Sequence, residues 1–418
     1  MSDTQKPLRK DRPVLPNGRA VVGIDIGLNR HAAAGLTRYG QPFGRTISFS
    51  NDLAGIQRFE ERLLKPIGGP ARVLIGMEAT GHYWMPIFFQ LRTRGYDPIV
   101  INPIQTRGQF RTRIRKTTTD KLDARSIADL IHNGKALAAR IPDEDTLRLR
   151  LQTRQRWRLS HLASDLSRLA YSLIDRLFPE FHGHFNSPLN ATGRALIHQI
   201  GLAPQTLVDQ GPEVHSIARR ASRSRLTPAD IEILIQKARA SIGIRQAEDV
   251  LVAQLRSTLE LIENIERQIA DLDALFEDRL EELDSPLRSL GLGPAILATI
   301  HAESDPISDF KHPWQYAAYA GLDPSLRQSG KITNPRTPIS KRGSPYLRQA
   351  LYLAAVALYR HVRPLQRLYQ KKRKQNHPHT DALIIVAHKI ARIVWSLLTH
   401  NRPFCITPPK PKHKPKTR

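Results

Sequence analysis

Four carboxylates in the first third of the chain have surroundings typical of a metal site. Asp25 lies inside the apolar run Gly23-Ile-Asp-Ile-Gly27, and Glu78 ends the apolar run 72–78. Because an unpaired buried carboxylate is costly, each requires compensation, which a cation supplies. Asp120 and Asp123 are one helical turn apart, so a helix would place both on one face. Such oxygen donors suit two Mg²⁺ or Mn²⁺ ions, which can clamp the attacking and leaving oxygens of a phosphodiester.

Each acid taken alone also has a structural explanation. A single aspartate in a strand can be satisfied by neighbouring donors. Asp120 would favour a helix N-terminus electrostatically. Asp123 could instead pair with Arg125 or Lys121. The combination of all four, in the order strand, strand, helix, favours metal binding over separate structural roles.

The charge of the chain predicts a polyanionic partner. Lysines and arginines number 64 against 38 aspartates and glutamates, which gives a net charge of +26. Such an excess repels itself unless it meets a polyanion, and nucleic acid is the most common one. Basic tails on an ordinary soluble protein, or a membrane-surface binder, are the alternatives, but the cations are spread through segments that should fold. A basic stretch leads into Asp120, and we expect these members to contact phosphates: Arg107, Arg111, Arg113, Arg115, Lys116 and Lys121.

Composition also excludes some classes of protein. The single cysteine, Cys405, excludes a disulfide framework and a cysteine-based zinc site. The apolar stretch 382–398 is interrupted by charged residues, and residues 1–19 are polar, so neither a membrane span nor a signal peptide is expected. We therefore expect a cytoplasmic protein without membrane contact, associated with the nucleoid when it is bound to DNA.

The elements that must position the four acids indicate an α/β domain over residues 20–146. We expect strands at 20–26, 31–38, 45–50, 72–78 and 98–102, and helices at 51–64, 84–95 and 120–133. Three strands followed by alternating helices and strands predict a mixed sheet of the ribonuclease H-like (RuvC-like) architecture, in which the first strand and a later parallel strand lie side by side. The basic arm 1–19 is expected to be disordered.

The rest of the chain is predicted to be mainly α-helical. Residues 147–284 indicate a helical or coiled-coil region, and an intrachain bundle and an intermolecular coil are equal alternatives. Its apolar seam repeats every seven residues at Leu255, Ile262, Ile269 and Phe276. Five arginines between residues 148 and 158 are expected to contact phosphates, with a solvated helix face as the alternative.

Residues 285–375 are predicted to form a C-terminal domain, and 376–418 a helix followed by a basic Pro/Lys tail. Gly291-Leu-Gly293-Pro294 lies between two helical segments, which is the pattern of a helix-hairpin-helix motif. Its glycines would let backbone N–H groups approach a DNA phosphate. A plain turn between two helices is the alternative.

Motifs from both halves of the chain resemble the DEDD insertion-sequence transposases, the bridge-RNA-guided recombinases with a RuvC-like N-terminal domain. The first set is Gly23-Ile-Asp25-Ile-Gly27, Gly76-Met-Glu78-Ala-Thr-Gly-His82, Ile101-Asn-Pro103 and Thr119-Asp120-Lys-Leu-Asp123. The second set is Leu290-Gly-Leu-Gly-Pro294, Tyr316-Ala-Ala-Tyr-Ala-Gly-Leu322, Gln328-Ser-Gly-Lys331 and Ile339-Ser-Lys-Arg-Gly343. The resemblance covers residues 20–360.

This resemblance implies a DNA transposase and site-specific recombinase. In that family the acids hold Mg²⁺, and a serine of the C-terminal domain attacks the DNA and forms a covalent phosphoserine link. The two sites combine across protomers of a dimer or tetramer, and a non-coding guide RNA pairs with donor and target DNA. Carried onto this chain, the metal ligands are Asp25, Glu78, Asp120 and Asp123.

The resemblance matches the nucleophile best to Ser329. Where the family has Ser-Ser-Gly-Gly before a basic residue, this chain has Gln328-Ser-Gly-Lys331, so one serine and one glycine are missing. Nearby alternatives are Ser325, Ser340 and Ser344. The candidate phosphate contacts around them are Arg327, Lys331, Lys341, Arg342 and Arg348.

Two other functions are consistent with parts of this pattern. A RuvC-like nuclease or junction resolvase would hydrolyse DNA with the acids alone, and its product would carry no protein. A non-catalytic RNA- or DNA-binding protein would have no reason to keep four acids in a basic groove.

Overall fold

A computed structural model describes residues 16–79, 81–101, 120–139, 141–185, 187–323, 328–329, 332–333, 338–341 and 343–406. For residues 120, 121, 328, 329, 332 and 333 the description is limited to the backbone. The chain divides into two compact units, one ending at Asp143 and the other beginning at Glu144. Each unit is described by itself.

The N-terminal unit is a mixed six-stranded sheet with helices. Its strands are β1 (Ala20–Asp25), β2 (Arg30–Leu36), β3 (Pro42–Ser50), β4 (Val73–Glu78), β5 (Pro98–Ile101) and β6 (Ala138–Ala139), in the spatial order β3-β2-β1-β4-β5-β6. Strands β1, β4 and β5 run parallel, whereas β2, β3 and β6 pair antiparallel with their neighbours. The mixed sheet predicted from the sequence is confirmed, and its order is consistent with a RuvC-like domain.

The helices of this unit are α1 (Leu53–Phe59), α2 (Lys65–Ile67), α3 (Trp84–Thr93) and α4 (Asp120–His132). The helix predicted over 51–64 changes to π-helical turns at Glu60–Leu64. The Asp52 side chain caps α1 by accepting from the Gly55 N–H at 2.6 Å. Strand β6 is only two residues long, too short to leave a periodic pattern in the sequence.

The alternation of side chains along β1 divides the core of this unit between the two sheet faces. Val22 and Ile24 pack on one face with Phe59, Ile87 and other side chains of the segment 53–64 and of α3. Val21 lies on the opposite face with Ile127 and other residues of α4. Residues two apart share a face of a strand, so Asp25 lies on the α4 side.

The second unit is mainly helical. Its helices are α5 (Glu144–Leu177), α6 (Ala191–Gln199), α7 (Pro204–Asp209), α8 (Gly211–Ala221), α9 (Pro228–Arg239), α10 (Glu248–Glu282), α11 (Pro294–Ser304), α12 (Pro313–Tyr319), α13 (Pro345–Leu358), α14 (Arg363–Lys374) and α15 (His379–His400). Short 3₁₀-helices occur at Pro179–Phe181, Pro286–Leu290 and Ile307–Asp309, and β7 (Gln328–Ser329) pairs with β8 (Ile332–Thr333).

Helices α5 and α10 run antiparallel along most of their length. Arg156 on α5 pairs with Asp273 at 2.8 Å, and Asp145, near the start of α5, pairs with Arg279 at 3.4 Å. The seam residues Leu255 and Ile262 are buried against α5 and the short helices α6–α9. The heptad residues Leu255, Ile262 and Phe276 therefore pack within the chain.

Four of the five arginines at the start of α5 have intramolecular acceptors. Arg148 pairs with Glu144 at 3.0 Å, and Arg154 and Arg156 pair with carboxylates at 2.8 Å each. Arg150 is buried and donates to the Ala302 carbonyl at 2.7 Å. Buried Arg150 is therefore occupied within the protein, whereas the phosphate contacts expected of the exposed Arg148 and Arg158 stay a prediction.

The C-terminal core contains the longest apolar helix. By length and composition α15 is the one described helix that is able to cross a membrane. Its residues Val386, Ile390 and Val394 are fully buried in a core shared with α11, α12 and α13.

The predicted helix-hairpin-helix motif is not confirmed. The element before Gly291 is a five-residue 3₁₀-helix, not an α-helix, while α11 follows Gly293 as expected. Gly291 has a φ of +63°, a conformation in which glycine is favoured. Both glycines are exposed, and an added Cβ would meet no atom within 4 Å at either.

A buried carboxylate joins three helices of this unit. Glu303 on α11 has no exposed surface and accepts two hydrogen bonds from Arg154 at 2.8 and 3.2 Å. It also accepts from the Ser344 hydroxyl at 2.9 Å, and Ser344 caps α13 by accepting from the Leu347 N–H. The Arg154 guanidinium lies 4.6 Å from the Tyr346 ring centroid.

Glu303→Ala is expected to lower the free energy of unfolding by about 2–3 kcal/mol, because it removes the buried carboxylate that accepts from the partly exposed Arg154 guanidinium and from the Ser344 hydroxyl. The control is Glu266→Ala in the same unit, which removes the exposed ion pair with Arg194 at 2.5 Å. That pair should contribute no more than about 1 kcal/mol. Urea unfolding of both variants measures the difference, and equal losses would contradict the assignment of a structural role to the buried network.

Candidate active site

Two predicted ligands lie at the ends of neighbouring parallel strands. Asp25 is the last residue of β1 and Glu78 the last of β4, and the register pairs the residues just before them, Ile24 with Met77. Asp25 and Glu78 are therefore lateral neighbours on strands about 4.8 Å apart. Both lie on the sheet face that α4 covers, since Gly23 and Gly76 share that face with them.

Helix α4 rests directly on the two strands because both have glycine at the point of contact. Gly23 and Gly76 are paired in register. A Cβ added at Gly23 would lie 2.2 Å from the Ala124 carbonyl oxygen and 2.5 Å from the Ala128 nitrogen. At Gly76 it would lie 2.2 Å from the Cδ1 atom of Ile131. Any larger residue at Gly23 would push the helix backbone off the sheet.

The start of α4 lies at the same end of the sheet as the two strand-borne acids. Ala124 packs with Ala32, and Ala32 is the strand partner of Asp25. Asp123 precedes Ala124, and Asp120 begins the helix. The structure thus brings the end of β1 and the start of α4 together, with Glu78 on the adjacent strand.

The complete ligand set is not visible among the described side chains. In this part of the chain, which lacks the Asp120 side chain, no three His, Cys, Asp or Glu side chains form a group that could hold an ion. The predicted phosphate contacts Arg107, Arg111, Arg113, Arg115 and Lys116 lie outside the described residues, and Lys121 is described only as backbone of α4.

Sequence reasoning missed one residue beside the site, His31. It is 1% exposed, packs edge to face on Phe49 with 5.2 Å between ring centroids, and accepts at Nδ1 from the Gly27 N–H at 3.3 Å. Burial lowers its pKa, so the ring is neutral at pH 7. Asn51 fixes the same turn by donating to the Leu28 carbonyl at 3.0 Å. Together they hold the turn after Asp25, a role for which a lone histidine leaves no sequence signal.

The candidate nucleophile lies in the second unit. Ser329 ends β7, where it pairs with Ile332, and its side chain is outside the described part. Two hydrogen bonds join Asp323 and Ser340, which lie on either side of the β7–β8 pair in sequence. The Ser340 hydroxyl donates to Asp323 Oδ1 at 2.5 Å, and its N–H donates to the Asp323 carbonyl at 2.8 Å.

The alternative serines differ in what they contact. Ser340 and Ser344 both donate to carboxylates, and Ser344 is buried as the cap of α13. Ser325 lies outside the described residues, as do the predicted contacts Arg327, Lys331 and Arg342. The structure therefore gives Ser340 and Ser344 structural contacts of their own.

Two further predicted phosphate contacts are described. Lys341 is exposed, and its backbone N–H donates to the Gly321 carbonyl at 3.2 Å. Arg348 donates to the Ala320 carbonyl at 3.3 Å, and burial lowers its pKa. Lys341 keeps its ammonium group available to a phosphate, whereas Arg348 already has an intramolecular acceptor.

Two family models match the chain. Residues 22–179 match the DEDD model of IS110-type elements, described as a transposase, and residues 287–370 match the transposase IS116/IS110/IS902 family. Together the matches cover more than half of the chain, and each contains one of the two motif sets. The chain belongs to this family of insertion-sequence transposases and is a DNA transposase or recombinase.

Individual relatives agree with the family match. The insertion element IS116 uncharacterized 44.8 kDa protein of Streptomyces clavuligerus is 27% identical, over 94% of this chain and 97% of its own length. The insertion element IS900 uncharacterized 42 kDa protein of Mycobacterium paratuberculosis is 26% identical, over 67% and 71%. The transposase for insertion sequence element IS1111A of Coxiella burnetii is 27% identical, over 38% and 44%.

Gly23→Ala should destabilise the N-terminal unit by about 3 kcal/mol, because the new methyl meets helix backbone. The matched control is Gly76→Ala on the paired strand, where the new methyl meets side-chain atoms and no backbone, and the nearest of them is the end of the Ile131 side chain. That side chain can rotate away, so a loss of about 1 kcal/mol is expected. Hydrogen exchange of the α4 amides measures both, and an equal or larger loss for Gly76→Ala would contradict the backbone contact.

Proposed function

We propose that this transposase cleaves and rejoins DNA with divalent metal held by Asp25, Glu78, Asp120 and Asp123 and with Ser329 as the nucleophile. The observation that carries the proposal is the adjacency of Asp25 and Glu78 on parallel strands, at the end of the sheet where α4 begins. A guide RNA of the bridge type selects the DNA sequences. The expected assembly is a dimer or tetramer that works on DNA in the cytoplasm.

The donor chemistry at the strand ends fits a hard divalent cation. Asp25, Glu78 and Asp123 offer only carboxylate oxygens, and Asp120 would add a fourth, which suits Mg²⁺ or Mn²⁺ better than softer metals. When bound, one or two such ions would supply charge stabilisation for a phosphodiester. The protein's own part is positional, because the strand register and the glycine contact with α4 fix the directions from which the acids approach.

A serine nucleophile conserves the energy of the phosphodiester. The Ser329 hydroxyl oxygen would bond to phosphorus while the phosphorus–oxygen bond to the leaving DNA strand breaks. The hydroxyl proton would go to a base, and the leaving oxygen would take up a proton. Because one phosphodiester replaces another, the reverse attack by a DNA hydroxyl rejoins the strands without an external energy source. The base that takes the proton is necessary because a serine hydroxyl is a weak nucleophile at neutral pH.

Charge supports the nucleic-acid partners. A net charge of +26 exceeds what a compact chain tolerates without counterions. Donor DNA, target DNA and a guide RNA are all polyanions that release counterions on binding. The RNA part of the proposal rests on the family resemblance.

Asp25→Asn and Glu78→Gln should each reduce recombination by at least about a hundredfold, because each removes a charged ligand and keeps the side-chain shape. The matched control is Asp129→Asn on α4, which loses only the partly exposed ion pair with Arg125 at 3.2 Å. Recombinant product from a two-plasmid assay is measured with Mg²⁺ and RNA present, then with each omitted. Full activity of both acid variants, or of wild type without Mg²⁺, would refute the metal site, and activity without RNA would refute the guide.

Ser329→Ala should abolish the covalent protein–DNA adduct, since no hydroxyl remains to bond to phosphorus. Wild-type protein and radiolabelled DNA are mixed, denatured and separated on a gel, and Ser325→Ala, four residues earlier in the sequence, serves as the control. An adduct that survives in Ser329→Ala would assign the reaction to another serine. Cleavage by wild type without any adduct would instead indicate hydrolysis by a RuvC-like nuclease.

A further inference from the structure

The C-terminal part of the chain is almost without acidic residues. Between Asp323 and Asp381 the sequence contains no aspartate or glutamate, and none follows Asp381. The lysines and arginines of this part therefore have few carboxylates near them in sequence. Helix α14 is the folded element in which they are densest.

Four cations form one stripe along α14. Arg363, Arg367, Lys371 and Lys374 follow at spacings of four, four and three residues, and all four are exposed. Residues at these spacings lie above one another on a helix. The stripe is about 16 Å long, given a rise of about 1.5 Å per residue. We call these four residues the cationic ridge.

The other side of α14 holds the ridge on the folded core. Leu365 is buried, and Leu368 and Tyr369 pack against the core that contains α15. The Tyr369 hydroxyl is 2.7 Å from His379 Nδ1 at the start of α15. The ridge is therefore the solvent face of a docked helix.

The ridge lacks the intramolecular partners that other cations of this unit have. Among the residues that the structure describes, no ion pair joins any of its four members to a carboxylate, in contrast to Arg148, Arg154 and Arg156 on α5. Like charges one helical turn apart destabilise a helix. Cations near the C-terminal end of a helix interact favourably with the helix dipole, which offsets the repulsion at Lys371 and Lys374. Arg363 and Arg367 lie too far from that end to gain from it.

We propose that the cationic ridge binds the phosphate backbone of duplex DNA. A duplex presents about one negative charge per 1.7 Å of its axis, so a stretch as long as the ridge holds enough phosphates for all four cations. DNA is the occupant because the family reaction requires it. The ridge consists only of lysine and arginine, so it positions the duplex without reading its sequence. This inference does not depend on the metal ligands or on Ser329.

The test compares two triple variants of the full chain. The ridge variant is Arg367→Gln, Lys371→Gln and Lys374→Gln. The control is Arg58→Gln, Arg62→Gln and Lys65→Gln, three exposed cations with the same spacing along the helical segment 53–67. Binding to a 30-base-pair DNA duplex of random sequence is measured by fluorescence anisotropy over a range of salt concentrations.

A plot of log affinity against log salt has a negative slope. The ridge variant should make this slope shallower by about 2 to 3, since each lost phosphate contact removes about 0.9 from its magnitude. At 0.1 M salt its affinity should fall by on the order of a hundredfold. The control should change the slope by less than half as much. A charge-preserving variant, Arg367→Lys with Lys371→Arg and Lys374→Arg, should keep the wild-type slope.

Equal slope changes in the ridge and control variants would overturn the proposal, because the charge would then act diffusely. Loss of binding in the charge-preserving variant would overturn it too, because shape and not charge would be responsible. An RNA duplex of the same sequence is measured in parallel, and a loss confined to RNA would assign the ridge to RNA instead. The measurement is of DNA binding and not of recombination, so its result is distinguishable from a failure of the metal site.

Discussion

The architecture of the candidate site depends on the contact between the α4 backbone and Gly23. A helix normally lies on a sheet at a distance set by the side chains between them. Gly23 on β1 has no side chain to separate the two elements. The backbone of α4 therefore occupies the space that a Cβ atom at this position would need. The consequence is positional, because the start of α4 is held close to the end of β1, the strand that carries Asp25.

A second constraint is electrostatic. A chain with 64 lysines and arginines and only 38 aspartates and glutamates can pair some of its cations internally and leaves the rest for a partner. The structure does both in one unit. Arginines at the start of α5 pair with carboxylates or donate to a carbonyl, whereas Arg363 and Arg367 on α14 are exposed and form no ion pair with any described carboxylate. The same residue type is thus structural on one helix and available to nucleic acid on another.

The sequence predicted the strands and their acids well because alternation and register are local properties. Asp25 and Glu78 end apolar runs of parallel strands, so their adjacency followed once the sheet order was known. The pairing of Arg154 with Glu303 was not predictable, since 149 residues separate the two side chains. The heptad in α10 likewise did not show whether its partner belonged to the same chain. His31 escaped notice because its role is set by a turn and a neighbouring strand.

The serines near residue 329 show how such a structure narrows a choice that motifs leave open. A hydroxyl that donates to a carboxylate has its proton engaged, and one that also caps a helix is held by the fold. The Ser340 hydroxyl donates to Asp323. The Ser344 hydroxyl donates to Glu303 and caps the start of α13. Moving either oxygen onto a phosphorus atom would break contacts that hold the segment in place. The cap position of Ser344 therefore weighs against that serine, and the family motif favours Ser329.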